Sequence, residues 1–137
     1  MNWRDPRAFA RGWAVLLVGL VGGGFVSRAV GRGALVPGFL EFDLVHDLLH
    51  VGLLGLALYF GWFAPAPATR IYARTFGFGG LAIALLGVVP ATNAMLQDLG
   101  LHLEMGEHVV HALLGIWGLA AGFSSPRAAR WGPVTST

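Results

Sequence analysis

Cysteine and lysine are both missing from the 137-residue chain, and only 12% of its residues are charged. Without cysteine there are no disulfides and no thiolate metal sites. So little charge excludes an ordinary soluble globule, in which about 25% of residues are charged and cover the surface. No serine stands in a recognisable nucleophile motif, and Gly22-Gly23-Gly24 lies inside an apolar run where it makes no phosphate loop. No segment outside the apolar runs is long enough to fold alone, so the chain reads as one domain. The net charge of +2 and isoelectric point near 9.9 come from arginines scattered beside apolar runs. That placement points to a lipid bilayer rather than to nucleic acid.

What the chain has is apolar length, with 55% hydrophobic residues. A helix needs about 20 mostly apolar residues to cross roughly 30 Å of hydrocarbon. Four stretches meet this, at residues 9–30, 44–63, 72–96 and 107–123. The expected fold is therefore an all-α integral membrane protein, a bundle of four transmembrane helices, with a short tail over 124–137. The first run follows Arg4, Arg7 and Arg11 in the layout of a signal peptide, and is counted as a spanning helix. Ala64-Pro65-Ala66-Pro67 is expected to form a tight turn and Pro90 to kink the third helix.

Seven of the nine arginines, at 4, 7, 11, 70, 74, 127 and 130, fall on one side of such a bundle. The positive-inside rule makes that side cytoplasmic, with both termini on it, and a bacterial inner membrane is the expected location. The outer side receives Arg28, Arg32, all five histidines and six of the seven acids. Trp3, Trp13, Trp62 and Trp131 lie near the expected cytoplasmic boundary, where aromatic belts form. Trp117 is placed inside the fourth helix as a packing residue.

The chain also repeats. Phe9-Ala10-Arg11-Gly12-Trp13 matches Tyr72-Ala73-Arg74-Thr75-Phe76 at an offset of 63. At an offset of 61, Asp43, His46, Asp47 and His50 fall on Glu104, Glu107, His108 and His111. A duplicated helical hairpin is the simplest reading, and two crossings per unit make it a parallel repeat about an axis along the membrane normal. Gly19/Gly23, Gly80/Ala84 and Gly118/Gly122 are small-xxx-small pairs of the kind that let membrane helices approach closely.

The matched polar sets are the candidate site. Each places acid or imidazole at i, i+3, i+4 and i+7, which on a helix is one stripe about 100° wide. Ionisable groups within a span face a bundle interior or a wet cavity, so the two stripes are expected to meet. His46, His50, Glu107 and His111 are the foremost metal-ligand candidates, Asp47 and His108 come next, and Asp43 and Glu104 complete the set. Carboxylate and imidazole without thiolate suit Zn, Fe, Mn or Cu(II), and the x-x-His spacings resemble di-iron bundles in part. A simpler reading makes the acids helix N-terminal residues and the histidines hydrogen-bond partners across the bundle. A haem or chlorophyll-type pigment on His50 and His111, the deepest pair, is a third. His102 is expected in a solvated loop, while Asn93 is within reach of the cluster.

The phrases Asp47-Leu-Leu-His50-Val-Gly-Leu-Leu-Gly-Leu-Ala57 and His108-Val-Val-His111-Ala-Leu-Leu-Gly-Ile-Trp-Gly-Leu-Ala120 resemble a family of small bacterial four-helix membrane proteins of unknown function. Its pattern is Asn-x-x-His before a Leu/Gly helix, in both corresponding helices. The resemblance implies the fold and matches His50 and His111 to the family histidines. Asp47 and His108 depart from the Asn, while Asp43, His46, Glu104 and Glu107 are additional. It implies no activity. The expected function is a non-catalytic membrane module whose outer cluster binds a metal or ties the bundle together. The alternatives are an accessory subunit of a respiratory or photosynthetic complex, which would bring other membrane subunits or a second copy as partners, and a metal-dependent membrane enzyme.

Overall fold

Asp5 starts the first helix: its carboxylate accepts from the Arg7 backbone N–H at 2.9 Å, and Pro6 follows where no N–H is needed. In the computed structural model, which describes residues 2–32, 34–36, 40–41, 44–98 and 105–124, α1 then runs over Pro6–Ala29. A short antiparallel ribbon, β1 (Ala34–Val36) and β2 (Leu40–Glu41), interrupts the connection to α2 (Leu44–Trp62). α3 (Ala66–Gly87), α4 (Pro90–Asp98) and α5 (Met105–Gly122) complete the chain. Apart from the ribbon, the described elements are all helical.

The two largest departures from the expected boundaries both come from proline. The third helix begins at Ala66, not at residue 72, since Pro65 is its N-cap and Pro67 sits in the first turn. There a missing N–H costs nothing and the fixed φ suits a helix. Arg70 consequently belongs to α3 and not to a connection. Pro90 does more than kink: it opens a separate helix, α4, after Val88 and Val89. Asp43, His102, Glu104 and the tail from 125 lie outside the described residues.

α1 packs against α2, and α3 packs against α5. α1 also touches both α3 and α5, so it occupies the middle of the bundle, whereas the backbones of α2 and α5 nowhere come within 8 Å among the described residues. At the arginine end, Phe9, Ala10, Trp13, Ala14, Leu17, Ala57, Tyr72, Ala73 and Ala121 form the core, with Phe60 stacked on Tyr72 at 4.4 Å. Arg11 Nε donates to the Gly61 carbonyl at 2.8 Å, and Arg74 Nε donates to the Gly122 carbonyl at the same distance. Each thereby satisfies a carbonyl that the end of a helix leaves without an internal partner. Trp117 packs edge-on against Phe9 and donates to the Trp3 carbonyl at 2.7 Å, so the N-terminal segment is tied to α5.

The interior combines an apolar core with a set of buried polar side chains, and the exterior is largely apolar. His46, Asp47, His50, Thr69, Glu107 and His108 are buried, while Val15, Phe25, Leu48, Ile71, Leu85, Leu113 and Ile116 are exposed. α1 and α2 are long and apolar enough to cross a membrane.

Candidate functional site: a histidine and glutamate chamber

Helix geometry divides each polar stripe in two. A residue one position on is turned by about 100°, whereas one four positions on is turned by only about 40°. His46 and His50 therefore share a face of α2, and Glu107 and His111 share a face of α5. These four side chains, with Trp13 and Leu20 of α1 and Val110 of α5, enclose a cavity of about 20 Å³. Because the backbones of α2 and α5 stay apart, the helices meet here through side chains reaching over α1.

Within the chamber, His46 Nδ1 lies 3.7 Å from Glu107 Oε1, both side chains being buried. The His46 and His50 rings are 4.4 Å apart between centroids, and Trp13 meets His50 edge-on at 6.4 Å. His111 Nδ1 is 2.7 Å from the backbone carbonyl of Glu107, one turn back on α5. A carbonyl only accepts, so Nδ1 carries the proton, and in the neutral ring Nε2 holds the lone pair. The buried indole Nε1 of Trp13 has no hydrogen-bond partner among the described residues.

Asp47 and His108 are turned away, which corrects the expectation that they join one cluster with the other four. Asp47, fully buried, pairs with the Arg28 guanidinium and lies against Gly24, where a Cβ would come within 2.8 Å of both carboxylate oxygens. His108 lies over Gly87 of α3, where its ring fills the space a Cβ would need. Each occupies the i+1 position of its pair, so the same rotation turns Asp47 to α1 and His108 to α3. Asn93, half-buried in α4, is not a wall of the chamber. Among the described residues, no group of three or more His, Asp or Glu side chains stands close enough to hold a metal ion as it is.

Two participants escaped the sequence reading. Trp13, expected in an interfacial belt, is buried as a chamber wall because it lies within α1 on the face that meets α2. Arg28, read only as an outer charge, is the counter-ion of Asp47. Its sole sequence signal is Gly24 one turn earlier, which leaves room beside α1 for a carboxylate. Comparisons with protein-family models, curated proteins and solved structures find no match to this chain.

Proposed function

We propose that this is a non-catalytic integral membrane protein in which α1, α2, α3 and α5 all span the bilayer, and in which the outer-half chamber ties α2 to α5. The inverted surface carries this reading: buried imidazoles and carboxylates sit beneath exposed Val, Leu, Ile and Phe side chains. In water that arrangement exposes too much apolar area, and in lipid it is the ordinary one. α3 and α5, of 22 and 18 residues, extend about 33 and 27 Å at 1.5 Å per residue, close to the roughly 30 Å of a hydrocarbon core. Their polar residues are largely turned inward.

The chain also reads as two copies of one hairpin. Arg11 with Gly61 and Arg74 with Gly122 make the same hydrogen bond at positions offset by 63 and 61. Trp62 and Phe123, the next residues, lie under the respective guanidinium groups. A parallel repeat with the arginine end in the cytoplasm accounts for both. The chamber holds about one water-sized body, which argues against a haem or chlorophyll-type ring on its inward-facing histidines.

The absence of cysteine makes this directly testable, because each introduced thiol is the only one. Val30→Cys and Gln97→Cys are expected to react with an impermeant maleimide on intact cells, and Phe63→Cys and Phe123→Cys only after permeabilisation. Labelling of all four from one side sinks the four-span topology. A short bismaleimide is expected to join His46→Cys to Glu107→Cys within one chain, and its failure to do so removes the chamber.

A further inference from the structure

We propose that the chamber is a binding site for one first-row divalent transition-metal ion, with the imidazoles of His46, His50 and His111 and the carboxylate of Glu107 as ligands. This deepens the chamber reading above and depends on it.

Four observations converge. First, His46/His50 and Glu107/His111 are both i, i+4 pairs, the spacing at which two side chains of one helix chelate a single ion. The two pairs are on different helices and enclose the same cavity. Second, the 2.7 Å hydrogen bond from His111 Nδ1 to the Glu107 carbonyl fixes the ring and leaves Nε2 as the donor atom. Ligating histidines characteristically give their other N–H to a carbonyl in this way. Third, one pair stands near coordination spacing, while the described side chains do not yet bring three ligands within reach of one ion. Two ligands on a tetrahedral ion with bonds of about 2.0–2.1 Å stand roughly 3.3 Å apart, and His46 Nδ1 is 3.7 Å from Glu107 Oε1. This pair stands wider than a closed coordination sphere by a few tenths of an ångström, so holding an ion requires the side chains to turn inward. Fourth, the buried Trp13 indole N–H at the chamber wall has no acceptor among the described residues. A water or hydroxide on the ion supplies one.

The donor set narrows the occupant. Three neutral imidazoles and one carboxylate, without sulfur, select Zn(II), Fe(II), Mn(II) or Cu(II) over Cu(I). They suit an alkaline-earth ion poorly, since calcium and magnesium take oxygen ligands. A dication beside Glu107 also offsets the cost of keeping a carboxylate in the interior of a membrane bundle.

The test uses the full chain purified in detergent, stripped with a chelator and titrated with Zn²⁺ by equilibrium dialysis and with Co²⁺ by visible absorption. About one equivalent per chain is expected, with Co²⁺ giving the intense band of a low-coordinate site. His50→Gln and His111→Gln are each expected to weaken binding at least about 100-fold, the upper end of what losing a partner of a metal ligand costs. His108→Gln, outside the chamber, is expected to leave it unchanged. Circular dichroism and gel filtration identify which variants are folded, and His46→Gln stands in for any that is not. Less than a tenth of an equivalent on folded wild-type protein, or equal losses from His108→Gln and His50→Gln, overturns the proposal. If metal is absent while His46→Cys and Glu107→Cys still crosslink, the metal site alone falls. If the crosslink also fails, the chamber reading falls with it.

Discussion

On the proposed repeat, the α1/α2 and α3/α5 pairs close by different means at equivalent positions. Ala14, Leu17, Leu54 and Ala57 of the first correspond to Gly77, Gly80, Gly115 and Gly118 of the second, at offsets of 63 and 61. Where α1 and α2 interpose side chains, with Ala14, Leu17 and Ala57 buried, α3 and α5 bring backbone against backbone. A Cβ on Gly118 would lie 2.8 Å from the Ala73 carbonyl oxygen and 2.9 Å from Gly77 Cα. In lipid, helices gain little from hiding apolar surface from each other, so close packing supplies much of their attraction. The second hairpin takes that route further, and the first adds an ion pair, Arg28 with Asp47. One architecture thus admits two ways of joining its helices.

The largest effect is expected from Gly118→Val, since no rotamer avoids the α3 backbone. Overpacking of this kind costs about 3 kcal/mol or more where the neighbour cannot yield, and the neighbours here are main-chain atoms. Thermal melting in detergent is expected to show a large fall, with loss of monodisperse protein. The counterpart Ala57→Gly removes one methyl from the first hairpin and adds glycine to a helix, at about 1–2 kcal/mol. Equal effects would mean that the hairpins do not differ as described.

Asp47→Ala comes next. It removes the Asp47 carboxylate from the Arg28 guanidinium, a loss of about 3–5 kcal/mol for a fully buried pair. Because Arg28 is 32% exposed, the expected cost is lower, about 2 kcal/mol. Removing both charges, in Arg28→Ala with Asp47→Ala, is expected to restore part of the lost melting temperature. A double variant as unstable as the sum of the singles would show that the two groups are not coupled. At the matching place in the second pair, position 91 is alanine, which cannot form an ion pair with His108, so His108→Ala is expected to cost less.

Much of this was legible in the sequence, and the reasons are physical. The places of α1, α2 and α5 and the polar sets follow from apolar runs and periodic spacing, which report local geometry. Of the eight candidate ligands, His46, His50, Glu107 and His111 line one cavity, since i, i+4 pairs share a face in any α-helix. Asp47 and His108 were misplaced because a stripe drawn 100° wide includes side chains that a neighbouring helix can claim. Which neighbour claims them is a tertiary matter: Gly24 opens α1 to Asp47, and Gly87 opens α3 to His108. The ion pair with Arg28 and the burial of Trp13 are long-range in the same sense. The early start of α3 was missed because two prolines were read as a break, although both stand where a first helical turn accepts them.

What the hairpins share should respond equally. Arg11→Ala and Arg74→Ala each remove a charge-assisted hydrogen bond to a helix-terminal carbonyl, at about 1.5–3 kcal/mol. The expected result is two similar decreases in melting temperature. A large effect at Arg74 with none at Arg11 would break the equivalence of the copies and leave the repeat as a likeness of sequence only.

The smallest effect is expected at Gly19. Its spacing to Gly23 resembles that of Gly118 to Gly122, yet a Cβ on Gly19 would meet nothing within 4 Å, whereas one on Gly80 would lie 2.9 Å from the His111 carbonyl oxygen. Gly80→Ala is therefore expected to cost about 1–3 kcal/mol through forced separation of α3 and α5. Gly19→Ala is expected to raise stability slightly, by about 0.4–1 kcal/mol, as for a helix glycine replaced without a clash. The proposed membrane topology sharpens this contrast, because a glycine facing lipid would have only acyl chains to displace. If Gly19→Ala instead disrupts an assembly seen by native electrophoresis after gentle extraction, another helix covers that face in the membrane. The exposed side of α1 would then be the contact of an accessory subunit or of a second copy, and the first hairpin would use its glycines outward where the second uses them inward.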